Sequence, residues 1–240
     1  MNKQLSGTVT IVAGGNTPIG AGIVKTFLLH NAFVIAPLST AEEIIQLRSS
    51  LSSVQTGQLI TLLHDPLDYR KAEDIKECIK QVYGHVDLVV SAFDNNWHGR
   101  ALLDIEIDEW QKAIDENITA HFIINRVALK LMKEQHKGMY INICNADVLC
   151  ARPYASLTRL ITENQTELSV MLAEEVKHYN IRYYHLFLHN IVTGQPLSEQ
   201  TYPDLTTPLM TGEHIIKLYH HQLHNTDQLF QYYPAAVAAG

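Results

Sequence analysis

At 240 residues, with 46% apolar and 18% charged side chains, the chain has an ordinary globular composition and is long enough to bury a substantial core. A net charge of −7 and scattered basic residues exclude the clustered positive charge that nucleic-acid affinity requires, so no nucleic-acid partner is expected. No run of 18 apolar residues occurs, MNKQLSG carries no apolar leader core, and three cysteines (Cys78, Cys144 and Cys150) fit a reducing compartment; a soluble, cytoplasmic protein with no membrane partner is expected.

Short β-branched runs alternate with longer amphipathic stretches along the chain. Thr8–Ala13 reads as a strand followed by a helix over about 18–30, and Phe33–Ala36 leads into a helix over about 40–53. Leu59–His64 precedes a helix near 68–82, and Leu88–Ala92 precedes a long one near 108–136. Met139–Cys144 is followed by a helix near 157–179. Arg182–Leu188 then precedes the Pro- and Thr-rich loop Gly194–Leu209, a helix near 211–223 and a weaker strand, Gln228–Tyr233. VTIVA, LVVSA and MYINIC are almost continuously apolar, as strands are when helices cover both faces of a sheet. The expectation is one domain over 1–240: a doubly wound parallel sheet of about seven strands in three α/β/α layers. Ligands bind such sheets at the carboxyl edge.

The stretch IVAGGNTPIGAG, residues 11–22, is the first strand-to-helix turn. Gly14 and Gly20 suit positive φ and the close approach of a pyrophosphate to a helix N-terminus. Pro18 suits the first helical turn but brings a ring, and no N–H, to the place a phosphate oxygen would occupy.

With these landmarks the chain resembles the short-chain dehydrogenase/reductase family, a Rossmann-type fold, over nearly its whole length. Ala13-Gly14-Gly15-Asn16-Thr17-Pro18-Ile19-Gly20 stands for the family's T-G-x-x-x-G-I-G, and Asp65 in HDPLD stands for an acid that contacts adenine. Ser91-Ala92-Phe93-Asp94 replaces N-N-A-G, and Asn117 in DEWQKAIDENITAHF falls on the active-site asparagine. Asn145 takes the serine position. Counting back from MLAEEVKHYNIR puts Thr158 on the tyrosine and Thr162 on the lysine. His189-Asn190 replaces P-G, and Thr193 keeps a position that touches the cofactor amide.

The resemblance implies a cofactor, NADP or NAD, held by Gly14, Asn16, Thr17, Ile19, Gly20, Asp65, Ala92 and Thr193. VIAPLST carries no acid after the second strand, and Ser39 and Thr40 tilt the expectation toward NADP; no cofactor at all is the other possibility. It also implies a homo-dimer or homo-tetramer through the helices near 108–136 and 157–179, or a hetero-oligomer with an active relative.

In the family the tyrosine moves the substrate proton and the lysine lowers its pKa. A free tyrosine, with a pKa of about 10, is only ~0.1% ionised at pH 7. Threonine replaces neither group, and losing general acid–base catalysis costs typically about 10²–10⁴-fold. Tyr154, four residues before Thr158, faces the same side if its helix begins early, although Arg152-Pro153 argues for a loop. Asp94, His98, Asp147 and His189 follow strands and read as exposed loop residues. His220 and His224 have metal-sharing spacing but no third ligand, and Cys144 and Cys150 have no paired base. The catalytic set is thus Asn117, Asn145, Tyr154, Thr158 and Thr162, with no metal. Two functions follow. One is a catalytically degenerate member that binds nucleotide weakly or serves a partner subunit; the other is an NAD(P)-dependent oxidoreductase with a substituted acid/base group acting on a carbonyl or alcohol.

Overall fold

The computed structural model describes residues 3–93, 100–146, 154–192 and 205–234. Asp94, His98, Asp147, Cys150 and Thr193 lie outside the described residues. Seven strands form one parallel sheet: β1 (Val9–Ala13), β2 (Phe33–Leu38), β3 (Gln58–Leu63), β4 (Leu88–Ser91), β5 (Gly138–Asn145), β6 (Ile181–Leu188) and β7 (Phe230–Tyr233). Their order is β3-β2-β1-β4-β5-β6-β7, so the winding reverses between β1 and β4 and opens a crevice at their carboxyl ends.

Around the sheet pack α1 (Pro18–Leu29), α2 (Ala41–Ser50), α3 (Tyr69–Tyr83), α4 (Ile107–Ile114), α5 (Ala120–Gln135), α6 (Ser156–Val176) and α7 (Pro208–Tyr219). Alternation along the strands divides the core in two. Val12, Val90, Ile141 and Leu186 join Ile23 and Phe27 of α1 and Ile215 of α7, while Ile11, Val89 and Tyr140 meet Leu129 and Met132 of α5. Among the described residues, no helix is long and apolar enough to cross a membrane.

Three helices depart from the sequence expectation. The helix near 108–136 is α4 and α5 joined by a π segment, Asp115–Thr119. The helix near 40–53 stops at Ser50, where Leu51 caps it. The helix expected over 211–223 runs from Pro208 to Tyr219, because Thr207 caps it through the Met210 N–H and Pro208 takes N1, so the loop expected to reach Leu209 ends sooner. His220 is therefore the C-cap, its Nε2 bonded to the Gln4 carbonyl at 2.9 Å, and His224 lies beyond the helix. The expected helical His220–His224 pair does not exist.

The early start lets α7 lie against α1. A Cβ on Gly22 would sit 2.1 Å from Pro208 Cβ, and one on Gly212 would sit 2.5 Å from Thr26 Cβ. By contrast, a Cβ on Gly15 meets only ordinary contacts, the nearest at 3.5 Å. Gly22→Ala is therefore expected to cost about 1–3 kcal/mol by overpacking, and Gly15→Ala far less. Urea unfolding of the two variants checks this, and equal losses would refute the close α1–α7 contact.

Candidate functional site at the carboxyl edge of the sheet

β1 delivers the chain to Gly14 at φ +76°, where a Cβ would lie 2.5 Å from the Ala92 carbonyl oxygen. A Cβ on Gly20 would lie 2.0 Å from the Gly14 carbonyl oxygen. Both glycines are thus demanded by backbone meeting backbone, before any ligand is considered. Thr17 caps α1, with its Oγ1 accepting the Gly20 N–H at 3.0 Å. The same oxygen lies 2.9 Å from the Gly14 carbonyl and 3.0 Å from that of Ala92, and its one proton serves either. Thr17, Gly20 and Ala92 therefore build the turn. With Pro18 lacking an N–H and the Gly20 N–H taken by Thr17, the first turn of α1 offers an anion little beyond the Ile19 N–H.

Beside the turn opens a narrow cleft of about 420 Å³ when the open solvent at its mouth is included. Gly14, Asn16 and Ser39 line one end, and His64, Pro66, Phe93, Ile123 and Ile124 the remainder. Asp65 is not in this wall. Its exposed carboxylate accepts the Leu67 N–H at 2.9 Å and shapes a turn, so His64 and Pro66 on either side face the cleft. His64 is buried, and its Nδ1 has no hydrogen-bond partner. Burial lowers its pKa, opposed by Asp68 and Asp65 and assisted by Lys71. A neutral ring with an unpaired nitrogen in a largely apolar cleft fits the polar edge of a heteroaromatic base. If a dinucleotide is taken here, its adenine would meet His64 and the apolar wall, and its pyrophosphate would depend on the Ile19 N–H and the Gly14–Asn16 backbone.

Further along the edge, Asn117 lies in the π segment, 2% exposed, with its Nδ2 donating to the Ala113 carbonyl at 2.9 Å. Its own carbonyl accepts Gln165 Nε2 of α6 at 2.9 Å. Thr158 and Thr162 occupy the same buried face of α6 as Gln165 and Ser169, and Cys144 Sγ lies 3.9 Å from Thr162 Oγ1. Asn145 ends β5. The structure therefore brings Asn117 and both threonines to the α4–α6 side. Tyr154 does not join that helix: it sits in a turn at φ +62°, 59% exposed, and α6 begins at Ser156. The helical phase that would align it with Thr158 is absent. His189 follows β6, its ring 6.2 Å from that of Tyr232.

Beneath this edge lies a polar layer that sequence reasoning missed. Ser91 Oγ is 3.0 Å from His121 Nδ1, Ser169 Oγ is 2.8 Å from His185 Nδ1, and Tyr183 donates to Asn125 Oδ1 at 2.8 Å. The available signal was a polar residue interrupting an apolar strand, Ser91 in LVVSA and His185 in YYHLFL. Burial, with a smaller push from His185, lowers the His121 pKa to about 3; burial lowers that of His185 to about 4. Burial likewise raises Tyr183 and Tyr140. All four are neutral near pH 7 and poorly matched to general acid–base work. Among the described residues, no three His, Cys, Asp or Glu converge as metal ligands would.

A cleft at the switch point of a doubly wound parallel sheet defines a Rossmann-type α/β protein. The model of the short chain dehydrogenase family matches residues 8–157, and the chain belongs to that family. It is 25% identical over 211 residues to a D-beta-hydroxybutyrate dehydrogenase of Rhizobium meliloti, covering 86% of this chain and 80% of that protein. It is 28% identical over 154 residues to a 3alpha-hydroxysteroid dehydrogenase of Mediterraneibacter gnavus, where the match spans 64% of this chain and only 61% of the relative's length. Similar folds include the L-sorbose reductase of Gluconobacter frateurii complexed with NADPH and L-sorbose, with a TM-score of 0.79 at 15% identity, each chain covered to 97%. A metagenomic short-chain oxidoreductase in complex with NADP has a TM-score of 0.75 at 18% identity, covering 95% of this chain and 96% of that one.

The buried histidines set a pH dependence. Above pH 6.5 neither the folded nor the unfolded state charges them. Below it the unfolded chain takes up protons that folded His121 and His185 refuse, so stability falls as the pH drops toward about 4. The slope is up to about 1.4 kcal/mol per pH unit for each histidine. Unfolding free energies between pH 7 and 5 should fall less steeply in a His121→Asn/His185→Asn variant; an unchanged slope would refute the assignment.

Proposed function

We propose that this chain is a catalytically degenerate short-chain dehydrogenase that takes an adenine dinucleotide in the cleft and acts through binding or as a subunit. The observation that carries this is the pair of threonines, Thr158 and Thr162, 5% and 4% exposed on α6 where the family resemblance calls for tyrosine and lysine. A bound nicotinamide supplies or accepts hydride; a proton must move at the substrate oxygen. Neither hydroxyl has the acidity or charge to share in that transfer, and the neighbouring His121 and His185 are held neutral. Asn117 keeps its buried place, but its bonds to the Ala113 carbonyl and to Gln165 are those of a scaffold.

A working oxidoreductase is the second reading. The dehydrogenases named among the relatives favour it, and the exposed Tyr154 is its candidate acid. Self-association completes the proposal: Phe122 on α5 and Val170 and Met171 on α6 are 47%, 39% and 59% exposed, apolar surface on the helices that would pair.

Fluorescence titration with NADH and NADPH should show binding, while a panel of aldehydes and ketones shows no turnover above buffer. Reproducible ketone reduction would overturn the degenerate reading, and its loss in Tyr154→Phe would identify the acid. Light scattering should give a dimer or tetramer that Phe122→Glu/Met171→Glu drives toward monomer; a monomeric parent chain would refute the subunit proposal.

A further inference from the structure

The two outer strands of the sheet are built differently. β7 is four residues long and is followed at once by Pro234, which has no N–H to offer. β3 is six residues long and holds no charge and no proline. It has no bulge either, since its register with β2 runs unbroken from Phe33↔Gln58 to Leu38↔Leu63. Charges, prolines and bulges are the devices that keep an edge strand from pairing. The N–H groups of Gln58 and His64 donate inward to the Ala32 and Leu38 carbonyls at 3.0 and 2.7 Å. Backbone groups alternate sides along a strand, so Leu59, Thr61 and Leu63 turn theirs outward, and β3 has no second strand to receive them. On the same face, Arg48 of α2 donates to Thr61 Oγ1 from Nε at 3.0 Å and from Nη2 at 2.9 Å. Leu63 is 57% exposed, and Ile45, one turn before Arg48 on α2, is exposed as well.

We propose that β3 is a self-association edge, where two copies of this chain join their β3 strands antiparallel about a two-fold axis at Thr61. Leu59 then lies opposite the partner's Leu63, Thr61 opposite the partner's Thr61, and Leu63 opposite the partner's Leu59. Each of these pairs exchanges both of its N–H···O bonds, so every outward donor and acceptor of the strand is used. The outward residues are symmetric about Thr61, as a contact between identical patches demands, and this selects a second copy as the occupant. The exposed Leu63 gains an apolar cross-strand neighbour in the partner's Leu59. Pairing stops at two copies, because the remaining edge, β7, is short and ended by proline. The edge is separate from the α5–α6 surface proposed above, and the two contacts together make a tetramer. One interaction opposes the pairing: the two Arg48 side chains, each on its own Thr61, face one another across the axis. Both are exposed, so solvent and salt screen the repulsion. A contact of one six-residue strand is also small beside the roughly 1,200–2,000 Å² of a stable interface, which puts the association in the micromolar to submillimolar range.

The test is sedimentation equilibrium of the full chain from micromolar to submillimolar concentration, in the Phe122→Glu/Met171→Glu background that disables the α5–α6 surface. Dimers should still form there as the concentration rises. Leu63→Lys puts a cation on the edge, and Thr61→Pro removes an N–H that β2 does not use. With melting curves checked, each should weaken dimerisation about tenfold or more. Arg48→Gln should strengthen it about threefold by removing the facing charges. Hydrogen exchange locates the contact: the amides of Leu59, Thr61 and Leu63 should slow with rising concentration, while those of Ile60 and Leu62, which face β2, do not change. A monomer at every concentration in that background overturns the proposal, as do dimers indifferent to both Leu63→Lys and Thr61→Pro. Outward amides that ignore concentration, or pairing that Arg48→Gln fails to strengthen, overturn it too. If the parent chain and the Phe122→Glu/Met171→Glu variant form the same dimer, the α5–α6 surface is the reading that fails and β3 pairing stands.

Discussion

The carboxyl edge of this protein is organised by one close approach of backbone to backbone. Gly14 sits so near the Ala92 carbonyl that no side chain fits between them, and Thr17 clasps the turn to the same carbonyl. That contact joins the ends of β1 and β4, the two strands between which the sheet reverses its winding. The crevice follows from it, because a wider joint would let the turn fall away from the cleft wall at Phe93. The same joint explains how Pro18 is tolerated. The turn needs its glycines for packing and its threonine for the cap, and position 18 needs only a backbone that starts a helix.

Stability and chemistry separate in this arrangement. The polar layer around His121, His185, Asn125 and Ser169 is buried and joined by hydrogen bonds among its own side chains, with Nε2 of both histidines left without a partner. Burial keeps its ionisable members neutral, so it braces α5 and α6 against the sheet without supplying a titrating group near pH 7. Gln165 extends that bracing to the π segment by bonding the Asn117 carbonyl. The buried face of α6 carries Thr158 and Thr162 beside Gln165 and Ser169, the two residues that take part in this bracing. Family membership and catalytic competence are accordingly different questions for this chain, since the first follows from the sheet and its turns and the second from a few side chains.

The parallel sheet, its seven strands and the strand-to-helix turn were legible in the sequence, because apolar runs such as VTIVA and MYINIC reflect burial on both faces and glycine marks the turn that sterics demand. The position of Asn117 on the long helix was legible too. The π segment around it was not, because its bonding pattern is set by packing and carries no residue signature of its own. Asp65 was assigned to the cleft from its place after β3, yet a two-residue turn bond directs its carboxylate elsewhere. Tyr154 depended on where α6 begins, which is decided by a residue at positive φ that no periodicity reveals.

The sequence by itself therefore determined the class of fold, the glycine turn at the carboxyl edge of the sheet and the two threonines at positions 158 and 162, since these depend on local pattern and residue identity. Only the tertiary structure decided which groups meet across distance. Glu43 reaches Asn16, Ser91 reaches His121 and Gln165 reaches Asn117 over separations of 27, 30 and 48 residues. Such pairs arise when packed elements bring their faces together, and a hydrogen bond's few ångströms of reach leave no trace in the spacing of residues along the chain.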